Sequence, residues 1–256
     1  MEWIDEALVL SARPHGENAA VVTLLTATHG RHAGLVSGGQ GVRAQPLLQP
    51  GNVVQAKWRA RLSEHLGHYT LDLMANHTAR WFDVPEVLSV IASACAVTEA
   101  SLPERQPMPG IFAGLQALFQ LTDPDLWGVA YVKWEMEILR ALGYGLDISK
   151  CCVTGETENL AYVSPRSGRA VSLEAGRSYH DRLFPIPSFL LGSALWDADA
   201  VRQGLEMTGH FLSRHVFAHP HSRLLIATPG DLPRARQRLA EYYHAATRAV
   251  AEVAMA

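Results

Sequence analysis

Five short apolar segments, each closed by a turn, crowd into the first eighty residues. Glu6–Arg13 alternates around Leu8 and Leu10 and ends at Pro14-His15-Gly16-Glu17. Ala19–Ala27 is β-branched and apolar and runs into Thr28-His29-Gly30. Arg31–Ser37 alternates again until Gly38-Gly39-Gln40-Gly41 breaks it. Asn52–Leu62 and Gly67–Met74 complete the set, joined through Ser63-Glu64-His65. Successive side chains of a strand point to opposite faces, so each segment has one face to bury. Five short strands with glycine turns fit a small closed barrel. We therefore expect an OB-type barrel over residues 1–79, with an SH3-like barrel as the other option.

The period changes at Ala79. Val87, Leu88, Ile91, Ala92 and Cys95 recur at helical spacing, which predicts a helix over Val84–Ala100. A linker, Pro103–Pro109, precedes expected helices at Ile111–Leu121 and Leu126–Leu142, with Asp123-Pro124-Asp125 as break and cap between them. Gly143 and Gly145 stop the third helix. Further helices are expected over Ala198–Phe217 and Pro233–Val253. The fold class is thus α+β: a barrel over 1–79, then an all-α region over 80–256 with a loop-rich insert at 146–172.

That insert has the frame of a small metal ribbon without most of its ligands. Cys151-Cys152-Val153-Thr154-Gly155 puts Thr154 where a second Cys of a CxxC pair would stand, and no Cys follows near Gly168. Zinc requires a closed set of four thiolates or imidazoles. The expectation is a metal-free loop kept for shape, and no cofactor.

Charge excludes a globally basic protein. The net charge is −3, with seven Lys or Arg against six Asp or Glu in residues 1–80, so a nucleic-acid site must be a local stripe. Lys57, Arg59 and Arg61 supply one: at i, i+2, i+4 of an expected strand they share a face while Trp58 takes the other. Arg31 and Arg43 lie near it in sequence. A solvated strand face is the plain alternative, at about even odds. The glycine-rich segment at 38–41 lacks the Lys-Ser/Thr of a phosphate loop and reads as a barrel loop. His215, His219 and His221 resemble metal ligands, but Pro220 disrupts the helical spacing, and a helix C-terminus is the better account. Tyr131, Lys133 and Trp134 could hold an acidic, aromatic-ended peptide, although Trp134 fits a helix core. No hydrolase, metalloprotease, kinase or dinucleotide signature occurs. Cys151 and Cys152 lack a flanking His for thiol catalysis. No apolar run approaches about 18 residues and the N-terminus has no basic leader, so a cytoplasmic, reducing setting is expected.

The order of these parts resembles the RecO family, bacterial recombination mediators of the RecF pathway. The matching pieces are Ala7-Leu8-Val9-Leu10 with Arg13 and Gly16-Glu17; Leu25-Thr26 then Gly30-Arg31; Leu48-Gln49-Pro50; Leu142-Gly143-Tyr144-Gly145; Cys151 with Gly155; Pro187 with Phe189-Leu190; and Ser222-Arg223. The resemblance implies an N-terminal OB domain, a helical domain and an insert that is a zinc ribbon in some members. It implies binding of single- and double-stranded DNA, strand annealing, no catalysis, a nucleoid-associated location, and partnership with RecR and the acidic C-terminal tail of single-strand binding protein. RecO helps to load RecA on protein-coated single strands. Two departures stand out. Relatives often carry several cations in the loop after the third strand, where Ser37-Gly38-Gly39-Gln40-Gly41-Val42-Arg43 has one. Thr154 and Ser172 occupy expected ligand positions, so no zinc is expected. DNA contact then falls to Lys57, Arg59 and Arg61 and to Arg166, Arg169 and Arg177, and Lys133 becomes the tail-binding candidate. The alternative is a protein-interaction scaffold with an OB-like barrel that does not bind DNA.

Overall fold

A computed structural model describes residues 1–219, 226 and 228–255. Contacts group into two units, one spanning Met1–Pro124 and the other built mainly from Asp125–His219 and the segment from Gln237 onward.

The first unit holds the barrel. Its strands are β1 (Glu2–His15), β2 (Ala19–Thr26), β3 (Gly30–Val36), β4 (Val53–Arg59) and β5 (His68–Ala75). They close in the order β1-β2-β3-β5-β4, all antiparallel except β3 with β5. This is the OB arrangement expected from the sequence. β1 closes the ring because it is long enough for two neighbours: Glu2–Leu8 pair with β4 and Ala7–His15 with β2, about a bulge between Val9 and Ser11. Val9, Val22, Leu24, Val54, Ala56 and Trp58 fill the interior. Leu8, Leu10 and Leu25 point the other way and are buried too.

Helix α1 (Pro85–Ser101) packs on β1 and accounts for that second buried face. The Cys95 thiol donates to the Val9 carbonyl. The buried Glu99 carboxylate accepts from Thr23 at 3.2 Å and pairs with Arg13. Helix α2 (Pro109–Phe119) follows, and Gln116 donates to Glu6. Between the helices, the Arg105 amide donates to the Arg31 carbonyl at 2.8 Å. There, at Gly30 (φ +66°), a Cβ would run into the Gln106 backbone.

In the second unit, α3 (Trp127–Ala141) follows a short 3-10 turn, with Leu126 rather than an aspartate in the N-cap position. Its end is a Schellman turn: Tyr144 donates to the Leu139 carbonyl, Gly143 donates to that of Arg140, and Gly143 sits at φ +88°. A three-stranded sheet, β6 (Leu160–Val163), β7 (Ala170–Ser172) and β8 (Phe184–Pro185), carries the insert, with α4 (Leu173–Gly176) after β7. Helix α5 (Ala198–Phe211) is capped by Asp197 and lies against α3 at Gly204, where a side chain would meet Val132 at 2.8 Å. It does not continue as α-helix to Phe217: Leu212–Val216 form a π-helical turn. Helix α6 (Arg234–Met255) is the last element.

Candidate nucleic-acid interface

Along β4, Gln55, Lys57 and Arg59 are exposed while Ala56 and Trp58 are buried, so two cations of the stripe do share the outer face. The strand ends at Arg59, so Arg61 is exposed in the following loop and not on the ladder. Lys57 is not a free cation. Its Nζ lies 2.9 Å from Glu2 Oε1, and Glu2 stands opposite Arg59 in the β1–β4 register. The hydrogen bond and charge of Lys57 hold the Glu2 carboxyl below its ordinary value, so Glu2 is ionised at neutral pH.

Arg31 is corrected. Only 5% exposed, it donates from Nε to the Leu102 carbonyl at 2.8 Å and pairs with Glu104 at 3.4 Å. β3 begins at Gly30, and the parity of that strand turns Arg31 under the segment after α1 instead of outward. Arg43 is exposed in the turn-rich stretch between β3 and β4. In the second unit, Arg166 and Arg169 are exposed, with Arg169 Nε 3.8 Å from Asp147, and Arg177 pairs with Glu174 at 2.6 Å.

The peptide-binding trio separates. Tyr131 and Trp134 are buried, and the Tyr131 hydroxyl donates to Glu135 at 2.8 Å; only Lys133 is exposed. Trp127, Tyr131, Trp134 and Ile138 lie on the apolar stripe of α3, which takes both aromatic rings inward.

The Cys151 sulfur is one member of the hydrogen-bond network of the insert, beside the backbone bonds from Cys151 to Glu156, Gly155 to Cys151 and Cys152 to Ala170. Cys151 is 1% exposed, and its Sγ accepts from the amides of Ser172 at 3.2 Å and Thr154 at 3.5 Å. Burial alone would raise this thiol, but those hydrogen bonds outweigh it and hold the group at about 6. Among the described residues, no three His, Cys, Asp or Glu side chains cluster as metal ligands. His215 instead stacks on Tyr144 at 5.0 Å, and His219 is exposed. Pro220, His221, Ser222 and Arg223 lie outside the described residues. None of the described helices is long and apolar enough to cross a membrane.

One feature of the barrel escaped the sequence reading. Trp3 on β1 pairs with Trp58 on β4, which pairs with Tyr69 on β5, and His32 on β3 completes an aromatic ring at one end. A signal was available, since Trp3, Trp58 and Tyr69 share the inward parity of their strands. Their proximity, however, depends on register, which the residue pattern alone does not fix.

Two family models cover both parts of the chain: the N-terminal model of recombination protein O matches residues 1–75 and the C-terminal model residues 84–224. The chain belongs to the RecO family. The DNA repair protein RecO of Rhodospirillum centenum is 50% identical over 248 residues, covering 96% of each chain. That of Rhodospirillum rubrum is 46% identical over 249 residues, covering 94% of this chain and 96% of its own. The RecO of Cereibacter sphaeroides is 45% identical over 241 residues, covering 94% and 98%. The α+β layout of barrel and helices is the one that family membership implied.

Proposed function

We propose that this chain is a non-enzymatic mediator of DNA repair and homologous recombination. It binds single- and double-stranded DNA, anneals strands, and with RecR helps to load RecA on single strands coated by single-strand binding protein. The observation that carries this reading is full-length similarity, at 50% identity over 96% of the chain, to a DNA repair protein RecO. The closed barrel with exposed Lys57 and Arg59 on one face, and Arg61 beyond them, supports it. Phosphate contact falls to Lys57, Arg59, Arg61 and Arg43 on the barrel and to Arg166 and Arg169 on the other unit. Lys133, exposed on α3, is the point of attraction for the acidic tail of single-strand binding protein.

The test is fluorescence anisotropy of a labelled single-stranded oligonucleotide across a salt series. Each phosphate contact on a single strand contributes about 0.7 to the slope of log K against log salt. Lys57→Ala with Arg59→Ala should therefore flatten the slope by about 1.4. A slope unaltered by the double substitution removes this face from the interface.

The second reading is a scaffold whose barrel holds a protein partner. The Glu2–Lys57 ion pair favours it, because it halves the cationic character of the face. Partner binding insensitive to salt, with no shift of DNA, would decide for the scaffold.

A further inference from the structure

The aromatic ring at the end of the barrel opens into a cavity of 460 Å³, within the range of about 300–1,000 Å³ typical of small-ligand sites. Trp3, Thr28, His29, His32, Trp58 and Arg105 line it with their neighbours. Three of the rings form a column. Trp3 stacks on Trp58 with centroids 5.9 Å apart and planes 20° apart, and on His29 at 4.2 Å and 12°. His29 ends the column and keeps 32% of its side chain exposed. Its Nδ1 edge is held by Thr28 at 2.9 Å and Asp5 at 3.2 Å, so its plane is set before anything binds. Below the column, His32 Nδ1 lies 2.9 Å from the Tyr69 hydroxyl, and Trp58 Nε1 donates to the Leu66 carbonyl at 2.9 Å.

Arg105 is the arginine on the lining, which also carries Met1 and Glu2. Met1 exchanges backbone hydrogen bonds with Ala60, the residue between Arg59 and Arg61 in sequence. Arg105 donates to the carbonyls of Ser63, Glu64 and His65, so its charge is fixed beside the cavity and pins the β4–β5 loop. Of the nearby carboxylates, Glu2 is paired with Lys57, and Asp5 accepts from Thr28.

We infer that this cavity takes a single unstacked nucleobase of single-stranded DNA, which extends the Trp58–Trp3–His29 column while its phosphates meet Arg59, Arg61 and Arg105. The inference rests on the DNA-binding reading above and deepens it. Near-parallel planes in series are the geometry that base stacking continues, and a π face accepts any base. Aromatic side chains of a peptide meet edge-to-face as readily as stacked, so a parallel column is less specific to them. The outward cations of β4 lead along the strand to this end of the barrel, so one track supplies phosphate contact and then a base site.

The experiment compares a labelled oligothymidylate with a strand of the same length and phosphate number whose bases are replaced by abasic sites. The expected result is a preference for the thymidylate of about five- to a hundredfold. His29→Ala and Trp3→Leu should each reduce that preference, and Trp3→Phe should keep most of it. His29 is half-exposed, so its truncation does not depend on refolding the barrel interior. Equal binding of both strands by the native protein, with a steep salt slope, would overturn the base site and leave a DNA-binding protein. Binding of neither strand would overturn both readings. Displacement of an acidic, aromatic-ended peptide by His29→Ala, with no effect on either strand, would assign the cavity to a protein partner and overturn the inference.

Discussion

Lowering the pH from neutrality towards 4 should destabilise the barrel through His32, and the size of the effect follows from where that ring sits. His32 is 3% exposed, between Trp3, Trp58 and Tyr69. Burial first, and then the positive charge of Arg105, push its imidazole from the ordinary 6.5 to about 4. The unfolded chain takes up this proton near 6.5, whereas the folded protein resists it until about 4. The contribution is therefore complete above pH 6.5, wears away as pH falls, and is gone once pH has passed about 4. A gap of that width corresponds to at most roughly 3–4 kcal/mol. The carboxylates held low, Glu2, Asp5, Glu64, Glu137 and Asp147, lose their contribution at lower pH, below about 4.5. His77 and His215 are also depressed, and because neither is substituted, their contributions should cancel when the variant is compared with the native protein. Urea unfolding of the native protein and of His32→Asn, which can still donate to Tyr69, at pH 7.5, 6 and 4.5 isolates the effect. The native protein should lose stability relative to the variant as pH falls. Parallel pH profiles would refute the buried neutral imidazole.

Two further outcomes test residues that the structure reassigns. Arg31→Ala should cost about 2–3 kcal/mol in urea unfolding, because it leaves the Leu102 carbonyl without its charged donor, and should not alter the salt slope of DNA binding; a stable variant with a flatter slope would return Arg31 to the interface. The ultraviolet absorbance of thiolate should show a step near pH 6 that Cys151→Ser abolishes. A step only near the ordinary thiol range would mean that Thr154 and Ser172 do not hold the sulfur.

Much of the barrel was legible in residues 6–74 because a half-buried strand announces itself by alternation and a glycine turn ends it. The exceptions have physical causes. The alternation of β1 breaks at Ala7–Leu10, where α1 covers one face and the barrel interior the other, so all four residues are buried. Arg31 carries a charge that sequence reasoning sends to the surface, yet the segment following α1 passes over it and offers a carbonyl. Tyr131 and Trp134 sit three residues apart, a spacing that fits an exposed aromatic pair as well as a core stripe, and only the packing of α3 distinguishes them. The π-helical turn at Leu212–Val216 leaves no mark in apolar spacing, because it adds one residue to a turn that remains apolar on the same side. The aromatic column is furthest from the sequence: its rings come from β1, β4 and the β2–β3 turn, and only closure of the barrel brings them together.

The ion pairs on the surface bear on how such a protein would grip DNA. Lys57 faces Glu2, Arg169 faces Asp147, and Arg177 faces Glu174. A phosphate that takes Lys57 must displace the Glu2 carboxylate, so the electrostatic gain per contact is smaller than for an unpaired cation. On the proposed reading, phosphate contact therefore supplies modest affinity that falls quickly with salt, and a base site whose energy is not electrostatic carries a larger share at physiological ionic strength. If the chain anneals strands as proposed, that division lets it release them after pairing. A base stacked on Trp58–Trp3–His29 holds a single strand only while that base is unpaired, and annealing withdraws it.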